Sequence, residues 1–440
     1  MHYHTTMKTA FRRLVSSLLE FQTRRLLKRR HFKKIIAVSG AVGKTTTKLA
    51  IATILHKKFE VLTQDGSFND EIGLPLACFD LDLPAHIFNP FAWLKVLVQM
   101  EFVLHRPSRF EVLVIEVGTD APGEIPHTMK FLHPDIGVVT SVAPEHTEFF
   151  KSLDAVAAEE LSLLDGSTQV VVSYDDVAAK YRRRYVESHP KHYYYGLKPE
   201  ATYQFDVKDT DPLDGTTGTL VKQGRKRLTK FTVSVYSHHS ARSVAAAFAV
   251  GDLLGLSAAE LAAGLEDVRP MRGRMNPLQG VSGSRIIDDT YNSSPSAVIA
   301  ALETLDGTPA AGRRIAILGS MNELGAASAA FHAEVGKAAA GVDLLVTIGQ
   351  EAGKHLGPAA VGAGLDPTCF RAADTPQAAG EYVKSLLSPG DVVLVKGSQN
   401  GIFAEEAVKI LLANPMDADH LVRQSQAWMR TKARSFKEHP

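Results

Sequence analysis

The residues of this chain best suited to chemistry are gathered in Ser39-Gly40-Ala41-Val42-Gly43-Lys44-Thr45-Thr46-Thr47. The stretch follows the apolar run Ile35-Ile36-Ala37-Val38 and opens Lys48 to His56, which reads as helix. A strand feeding a glycine turn and a helix N-terminus aims free N–H groups and the positive end of a dipole at one point, which suits phosphate. Gly40 and Gly43 let the backbone come close, Lys44 reaches terminal phosphates, and the hydroxyl of Thr45 or Thr46 is a Mg²⁺ ligand. The strict Walker spacing is broken, because its first glycine falls at Val38. An ordinary strand-to-helix turn would explain a bare Gly-Lys-Thr, but it explains two glycines and three threonines behind an apolar run less well. ATP or GTP chemistry is the resulting expectation.

Such a loop needs a sheet to hold it, and the sequence supplies one. Val112 to Gly118 is a buried-strand signature ending in the acid Glu116, and Ile136 to Ser141 and Val170 to Ser173 are two more. Apolar strands alternating with helical stretches predict a mostly parallel sheet with helices on both faces. Ligands in such sheets sit beyond the C-terminal strand ends, where the glycine loop, Glu116 and the segment after Ser141 converge. Between Tyr193 and Tyr236 the texture turns alternating and turn-rich, which predicts appended antiparallel strands. From Leu278 a second doubly wound α/β unit is expected, with strands at 285–289, 314–319, 344–349 and 391–397. The expected organisation is a basic N-terminal helix at 1–34, a P-loop domain at 35–277, a Rossmann-like domain at 278–413 and a tail helix at 414–440.

The composition fits this α/β reading. The 440 residues are 45% hydrophobic and 22% charged, enough for two or three domains with cores of their own. A net charge of +1 commits the chain as a whole to neither nucleic acid nor membrane. Cys78 and Cys369 have no metal-type spacing, so reduced thiols in a cytoplasmic protein are expected. No apolar run reaches the roughly 18 residues of a membrane span, and no signal peptide is legible. The charge is uneven, however, with ten Lys and Arg against one acid, Glu20, from Lys8 to Lys34. Phe11, Leu14, Val15, Leu18 and Leu19 recur there at helical spacing, which predicts a basic amphipathic helix. Its apolar stripe either packs on the next domain or lies on an anionic membrane. The apolar stretch from Ile87 to Leu104 is expected to be a helix covered over most of its surface, and a partner for the first.

Taken together these motifs resemble the Mur ligases, the ATP-dependent amide-forming family of peptidoglycan synthesis. The resemblance runs from about Ile35 to Leu412 and is strongest toward the branch that adds D-alanyl-D-alanine to a UDP-N-acetylmuramoyl tripeptide. It rests on Ser39 to Thr46, Asn69 to Pro75, Glu116-Val117-Gly118 with Gly123-Glu124-Ile125, and His146 with Phe149, Ser152 and Leu153. In the second half it rests on Gly273-Arg274, Asp288-Asp289-Thr290-Tyr291-Asn292 with Pro295, Glu323-Leu324-Gly325 and Lys396-Gly397-Ser398. The resemblance implies that Lys44 holds the β- and γ-phosphates of ATP. Thr45 or Thr46 with Glu116 would bind one Mg²⁺, and His146 with Glu116 a second. It further implies Asp289 at the ribose, Arg274 at the phosphates across a domain cleft, Tyr291 and Asn292 around the nucleotide, and Asn69 and Lys396 as substrate contacts. The expected partners are a muramyl peptide and a dipeptide such as D-alanyl-D-alanine, with no nucleic acid, in a monomer.

Three positions depart from the family pattern. Many members carry a carbamylated lysine where this chain has Glu160, preceded by Glu159, so a carboxylate is expected to serve the second Mg²⁺ without CO₂. A His-Asn pair near the adenine reads His239-Ser240, with Ser243 where a further Asn might stand. About 34 residues precede the first strand, too few for the uridine-binding domain, so the basic helix is expected to assist the acyl substrate or to contact a membrane. Folylpolyglutamate or cyanophycin-type ligation and a nucleotide-binding subunit without catalysis are the alternatives, with a P-loop switch GTPase behind them.

Overall fold

The computed structural model describes residues 2–29, 31–64, 70–84, 87–119, 121–143, 150, 152–211, 213–223, 225–235, 238–322, 324–399 and 401–438. The chain divides into two units. The first comprises Met1–Asp209, Thr216–Ser234 and His238–Arg269; the second comprises Thr210–Gly215, Val235–Ser237 and Pro270–Pro440.

The first unit is built on nine strands: Lys34–Ser39 (β1), Val61–Leu62 (β2), Val112–Glu116 (β3), Ile136–Val139 (β4), Gln169–Ser173 (β5), His192–Gly196 (β6), Tyr203–Asp211 (β7), Gly215–Lys222 (β8) and Arg225–Val233 (β9). Their spatial order is β2-β3-β1-β4-β5-β6-β7-β8-β9. Every residue of β3 and β4 is buried, as continuous aliphatic runs require when both sheet faces are covered. β1 pairs in parallel with β3 on one side and β4 on the other, with Val38 beside Glu116 and Ser39 beside Val139. The chain therefore changes direction of travel across the sheet at β1, which is where the three following loops meet. The antiparallel expectation for 193–236 needs correction at its start. Tyr193 to Tyr195 belong to β6, which pairs in parallel with β5, while β8 and β9 are antiparallel.

The helices that position the site are His2–Lys28 (α1), Lys44–Leu55 (α2), Gly73–Cys78 (α3), Pro90–Leu104 (α4), Glu124–Met129 (α5), Leu153–Leu161 (α6) and His238–Leu253 (α7). α2 begins at Lys44 because Gly43, at φ 87°, turns the chain into it. On α7 Ala245 to Val250 are fully buried, and Ser243 shares a hydrogen bond with Thr47 of α2 at 3.0 Å. α1 is part of this unit rather than a separate segment, since Val15, Leu19 and Leu26 enter its core. It lies along α4, as expected, with Gln22 Nε2 donating to Glu101 at 2.8 Å and Arg25 paired with the same carboxylate.

Among the described residues, nothing covers most of the surface of α4, contrary to expectation. Only Trp93, Val96, Met100 and Leu104 are buried, whereas Phe91 is 79% exposed and Leu94, Val98 and Phe102 face out beside it. The helix is apolar over most of its circumference, broken by Lys95, Gln99 and Glu101, and buries one side of it. Among the described residues no helix is long and apolar enough to cross a membrane.

The second unit contains Asn276–Gln279 (β10), Arg285–Asp289 (β11), Arg314–Gly319 (β12), Leu344–Ile348 (β13), Phe370–Ala373 (β14) and Val392–Lys396 (β15). Their order is β10-β11-β15-β12-β13-β14, parallel except for β10. This unit starts at Pro270 rather than Leu278, because the Met275 N–H bonds Asp289 at 3.2 Å and β10 pairs with β11 from Asn276. The expected tail is also part of it. Arg423 and Lys432 both bind the fully buried Glu405, and Gln426–Glu438 forms the last helix, α8. Cys78 is buried and its thiol is pushed up to about 12 by that burial, leaving it unreactive; both cysteines are free.

Candidate functional site

The glycine loop is fastened from below and from the side. Glu160 on α6 is fully buried, and its Oε2 accepts from the Gly40 N–H at 2.6 Å and from the Ser39 hydroxyl. The end of β4 supplies the lateral bonds. Thr140 Oγ1 donates to the Val42 carbonyl at 2.7 Å, and Ser141 Oγ accepts from the Val42 N–H at 2.8 Å. Gly40 sits at φ 124°, and a Cβ there would come within 2.7 Å of the Ser141 nitrogen and 2.9 Å of the Thr140 nitrogen. No residue with a side chain fits. Glu160 thus stands beneath the loop, where it fixes the turn.

Lys44 opens α2 and its Nζ donates to the Gly40 carbonyl at 2.5 Å, folded over the loop. Of the two threonines offered as Mg²⁺ ligands, Thr45 is the one that meets the acid: its Oγ1 donates to Glu116 Oε2 at 2.8 Å. Thr46 is half-buried in the same helical turn. Glu116, at the end of β3, is 2% exposed. The Glu116 carboxylate and the Thr45 hydroxyl thus put two oxygen donors side by side at a loop shaped for an anion. Hydroxyl and carboxylate oxygens are the donors Mg²⁺ prefers, and Mg²⁺ commonly takes only one or two carboxylates and keeps water for the rest. The donor set fits that ion. Among the described residues no group of three or more His, Cys, Asp or Glu forms a closed cage.

Glu159, the neighbour of Glu160, faces the other way along α6. Its Oε2 accepts from the Gly123 N–H at 2.7 Å and its Oε1 from the Ile125 N–H at 2.8 Å, which caps α5. The loop after Glu116 is thereby held from the same helix as the glycine loop. Beside it lies a cleft of about 400 Å³, lined by Arg12 and Ser16 of α1, Asp70 and Glu71, and Gly118 and Thr119. Arg12 bonds Glu71 at 2.8 Å across it.

The second unit gathers its own set. Lys396, expected to present an amine to substrate, is instead 2% exposed. Its Nζ donates to Asp289 Oδ2 at 2.6 Å and to the Asn292 carbonyl at 2.9 Å. The ammonium locks the turn that follows β11, and a substrate contact is not what the burial allows. The Arg274 guanidinium lies over the Tyr291 ring at 4.4 Å, and Asn292 Oδ1 accepts from the Ser293 N–H at 2.8 Å. Asp288 is fully buried and its carboxyl is raised to about 6, chiefly by burial, against hydrogen bonds from Thr290. Arg423 closes the turn by donating to the carbonyls of Thr290 and Tyr291.

His146 and Asn69, with Phe149 and Glu323 of the motifs, lie outside the described residues. Several positioning residues were not read from the sequence: Thr140, Glu159, Lys48 and Arg423. Lys48 is 2% exposed and its Nζ holds the Gln64 carbonyl at 2.6 Å, tying α2 to the end of β2. Thr140 was within reach of sequence reasoning, since it follows the strand next to β1. The other three carry no local signal, because each acts on a segment distant in the chain.

A glycine loop with a strand-end carboxylate on one α/β unit, joined to a second doubly wound unit, defines a two-domain nucleotide-dependent enzyme. Comparison with known proteins makes the assignment specific. The Mur ligase middle domain matches residues 94–251 and the Mur ligase glutamate ligase domain matches residues 273–399, together more than half of the chain. The UDP-N-acetylmuramoyl-tripeptide--D-alanyl-D-alanine ligase of Bacillus subtilis is 28% identical over 87% of this chain and 77% of its own length. The protein of the same name from Mycobacterium leprae is 29% identical over 83% of this chain and 71% of its own. A MurF ligase from Thermotoga maritima in complex with ADP superposes with a TM-score of 0.67 at 24% identity, covering 90% of this chain and 83% of that one. A folylpolyglutamate synthase from the same organism shares the fold with a TM-score of 0.62 at 14% identity, covering 96% and 99%. The chain belongs to the Mur ligase family.

Three substitutions test this geometry. Gly40→Ala should lower stability by about 2 kcal/mol or more, from positive φ and the collision together, read as a drop in Tm. Lys396→Met should cost about 3–5 kcal/mol by leaving Asp289 buried and unpaired. The double variant Lys396→Met with Asp289→Asn should recover most of that loss. Additive losses in urea melts would contradict the pairing.

Proposed function

We propose that the chain is an ATP-dependent carboxylate–amine ligase that adds D-alanyl-D-alanine to a muramyl peptide in peptidoglycan synthesis. The observation that carries this reading is the glycine loop bearing Lys44, with Thr45 and the buried Glu116 in contact beside it. In the reaction a substrate carboxylate oxygen attacks the γ-phosphorus of ATP and the bond to ADP breaks, giving an acyl phosphate. The amine nitrogen then adds to the acyl carbon, loses a proton, and expels phosphate as the amide forms. Negative charge must be neutralised at both steps.

Lys44 and the N–H groups at the start of α2 bind and orient the phosphates. Thr45 and Glu116 are the residues that would hold Mg²⁺, with His146 assigned to a second ion; bound there, Mg²⁺ neutralises phosphate charge. Glu160, expected at that second ion, is assigned instead to holding the turn from beneath, because it is fully buried and bonded to Gly40 and Ser39. Arg274, Asp289, Tyr291 and Asn292 are assigned to the nucleotide. The acyl substrate, nucleotide- or lipid-linked, is assigned to the cleft of Arg12, Asp70, Glu71 and Thr119, whose mix of charges and hydroxyls suits a sugar peptide. The work is placed in the cytoplasm, where ATP is available.

The test is incubation with ATP, Mg²⁺, UDP-N-acetylmuramoyl tripeptide and D-alanyl-D-alanine, followed by mass spectrometry. The ligated product and ADP should appear together and only when both acceptors are present. Glu116→Gln should lower turnover by about 100-fold or more with an unchanged melting curve. ADP release independent of the acyl and amine substrates would contradict the reading, and so would ligation of glutamate to a folate in place of this product.

A further inference from the structure

α1 and α4 leave an unusual surface on the first unit. The two helices run side by side in the same direction, since Arg25 meets Glu101 and, one turn on, Arg29 reaches the Leu104 carbonyl. That register sets the stripe Leu14, Leu18 and Phe21 of α1 alongside Phe91, Leu94 and Val98 of α4, with Phe102 continuing it. Their exposures are 58%, 40% and 59% on α1, and 79%, 58%, 46% and 59% on α4. Single exposed apolar residues are ordinary, but an adjoining run of this kind marks an interaction surface. Core packing does not explain it, because both helices bury a different side.

We propose that this α1–α4 face seats in the headgroup region of an anionic lipid bilayer. Charge identifies the occupant. Arg13 and Lys28 on α1, Lys95 on α4 and Arg106 just beyond it are exposed around the stripes. The Arg25 guanidinium lies 5.7 Å from the Phe21 ring and that of Arg106 lies 5.9 Å from Phe102. The two helices carry only two acids, Glu20 and Glu101, and each is bonded by an arginine, Arg24 and Arg25. Apolar residues within a cationic border match acyl chains beneath anionic headgroups. A second copy of this chain would bring the same cationic border against itself. Neither helix is apolar and long enough to span, so each lies in the plane of the interface. α1 also lends Arg12, Ser16 and Glu20 to the cleft, so docking holds that cleft at the membrane surface.

The test is co-sedimentation of the full chain with vesicles, which reads the surface independently of ligase activity. The chain should pellet with phosphatidylglycerol–phosphatidylcholine vesicles, bind phosphatidylcholine vesicles about tenfold more weakly or less, and be released by salt. The pair Leu18→Ser with Phe102→Ser preserves charge, touches only exposed side chains and should weaken binding about tenfold with an unchanged melting curve. Wild-type protein left in the supernatant with anionic vesicles would overturn the proposal, as would a pair variant that pellets like the wild type. A dimer in sedimentation velocity that the same pair dissociates would assign the face to a second copy and overturn it too.

Discussion

The first unit depends on a glycine turn with no room for a side chain, held by a fully buried carboxylate. Glu160 receives the Gly40 N–H and the Ser39 hydroxyl, and β4 sends Thr140 and Ser141 across to Val42. Everything the loop does depends on those bonds, because Lys44 and Thr45 take their positions from where the turn delivers α2. A loop free to move would lose the alignment that makes its N–H groups an anion site. The sheet order is what makes the fastening possible. Placing β1 between β3 and β4 brings Glu116 to one side of the loop and Thr140 to the other.

Buried charge recurs in both units and has different consequences in each. In the first unit Glu160 accepts from the Gly40 N–H and the Ser39 hydroxyl, and Glu116 meets the Thr45 hydroxyl, an oxygen pair that Mg²⁺ fits. In the second unit the charge is met internally. Lys396 neutralises Asp289, and Arg423 and Lys432 share Glu405. Lys396 and Arg423 also bond the carbonyls of Asn292, Tyr291 and Thr290, which rigidifies the turn carrying Tyr291 and Asn292.

The parts of this arrangement visible in the sequence were those encoded locally. The P-loop, the strand ending in Glu116, the second doubly wound unit and the basic helix each follow from a short pattern of apolar runs, glycines and charges. The parts that were not visible are pairings between distant segments. Nothing around Lys396 announces that a buried aspartate 107 positions earlier takes its ammonium. Nothing in the tail announces that Arg423 braces the carbonyls of Thr290 and Tyr291. α4 misled in the opposite sense: its apolar character predicts cover, yet composition cannot say whether a helix buries both sides or offers one to another phase.

The central claim is that this loop and its carboxylates serve transfer of the γ-phosphoryl group of ATP to a carboxylate. The most direct measurement follows the oxygen. With the acyl substrate labelled by ¹⁸O in its reacting carboxylate, each amide formed should release one inorganic phosphate carrying a single labelled oxygen, with ADP unlabelled. Label in AMP, or amide formation with unlabelled phosphate, would contradict the account.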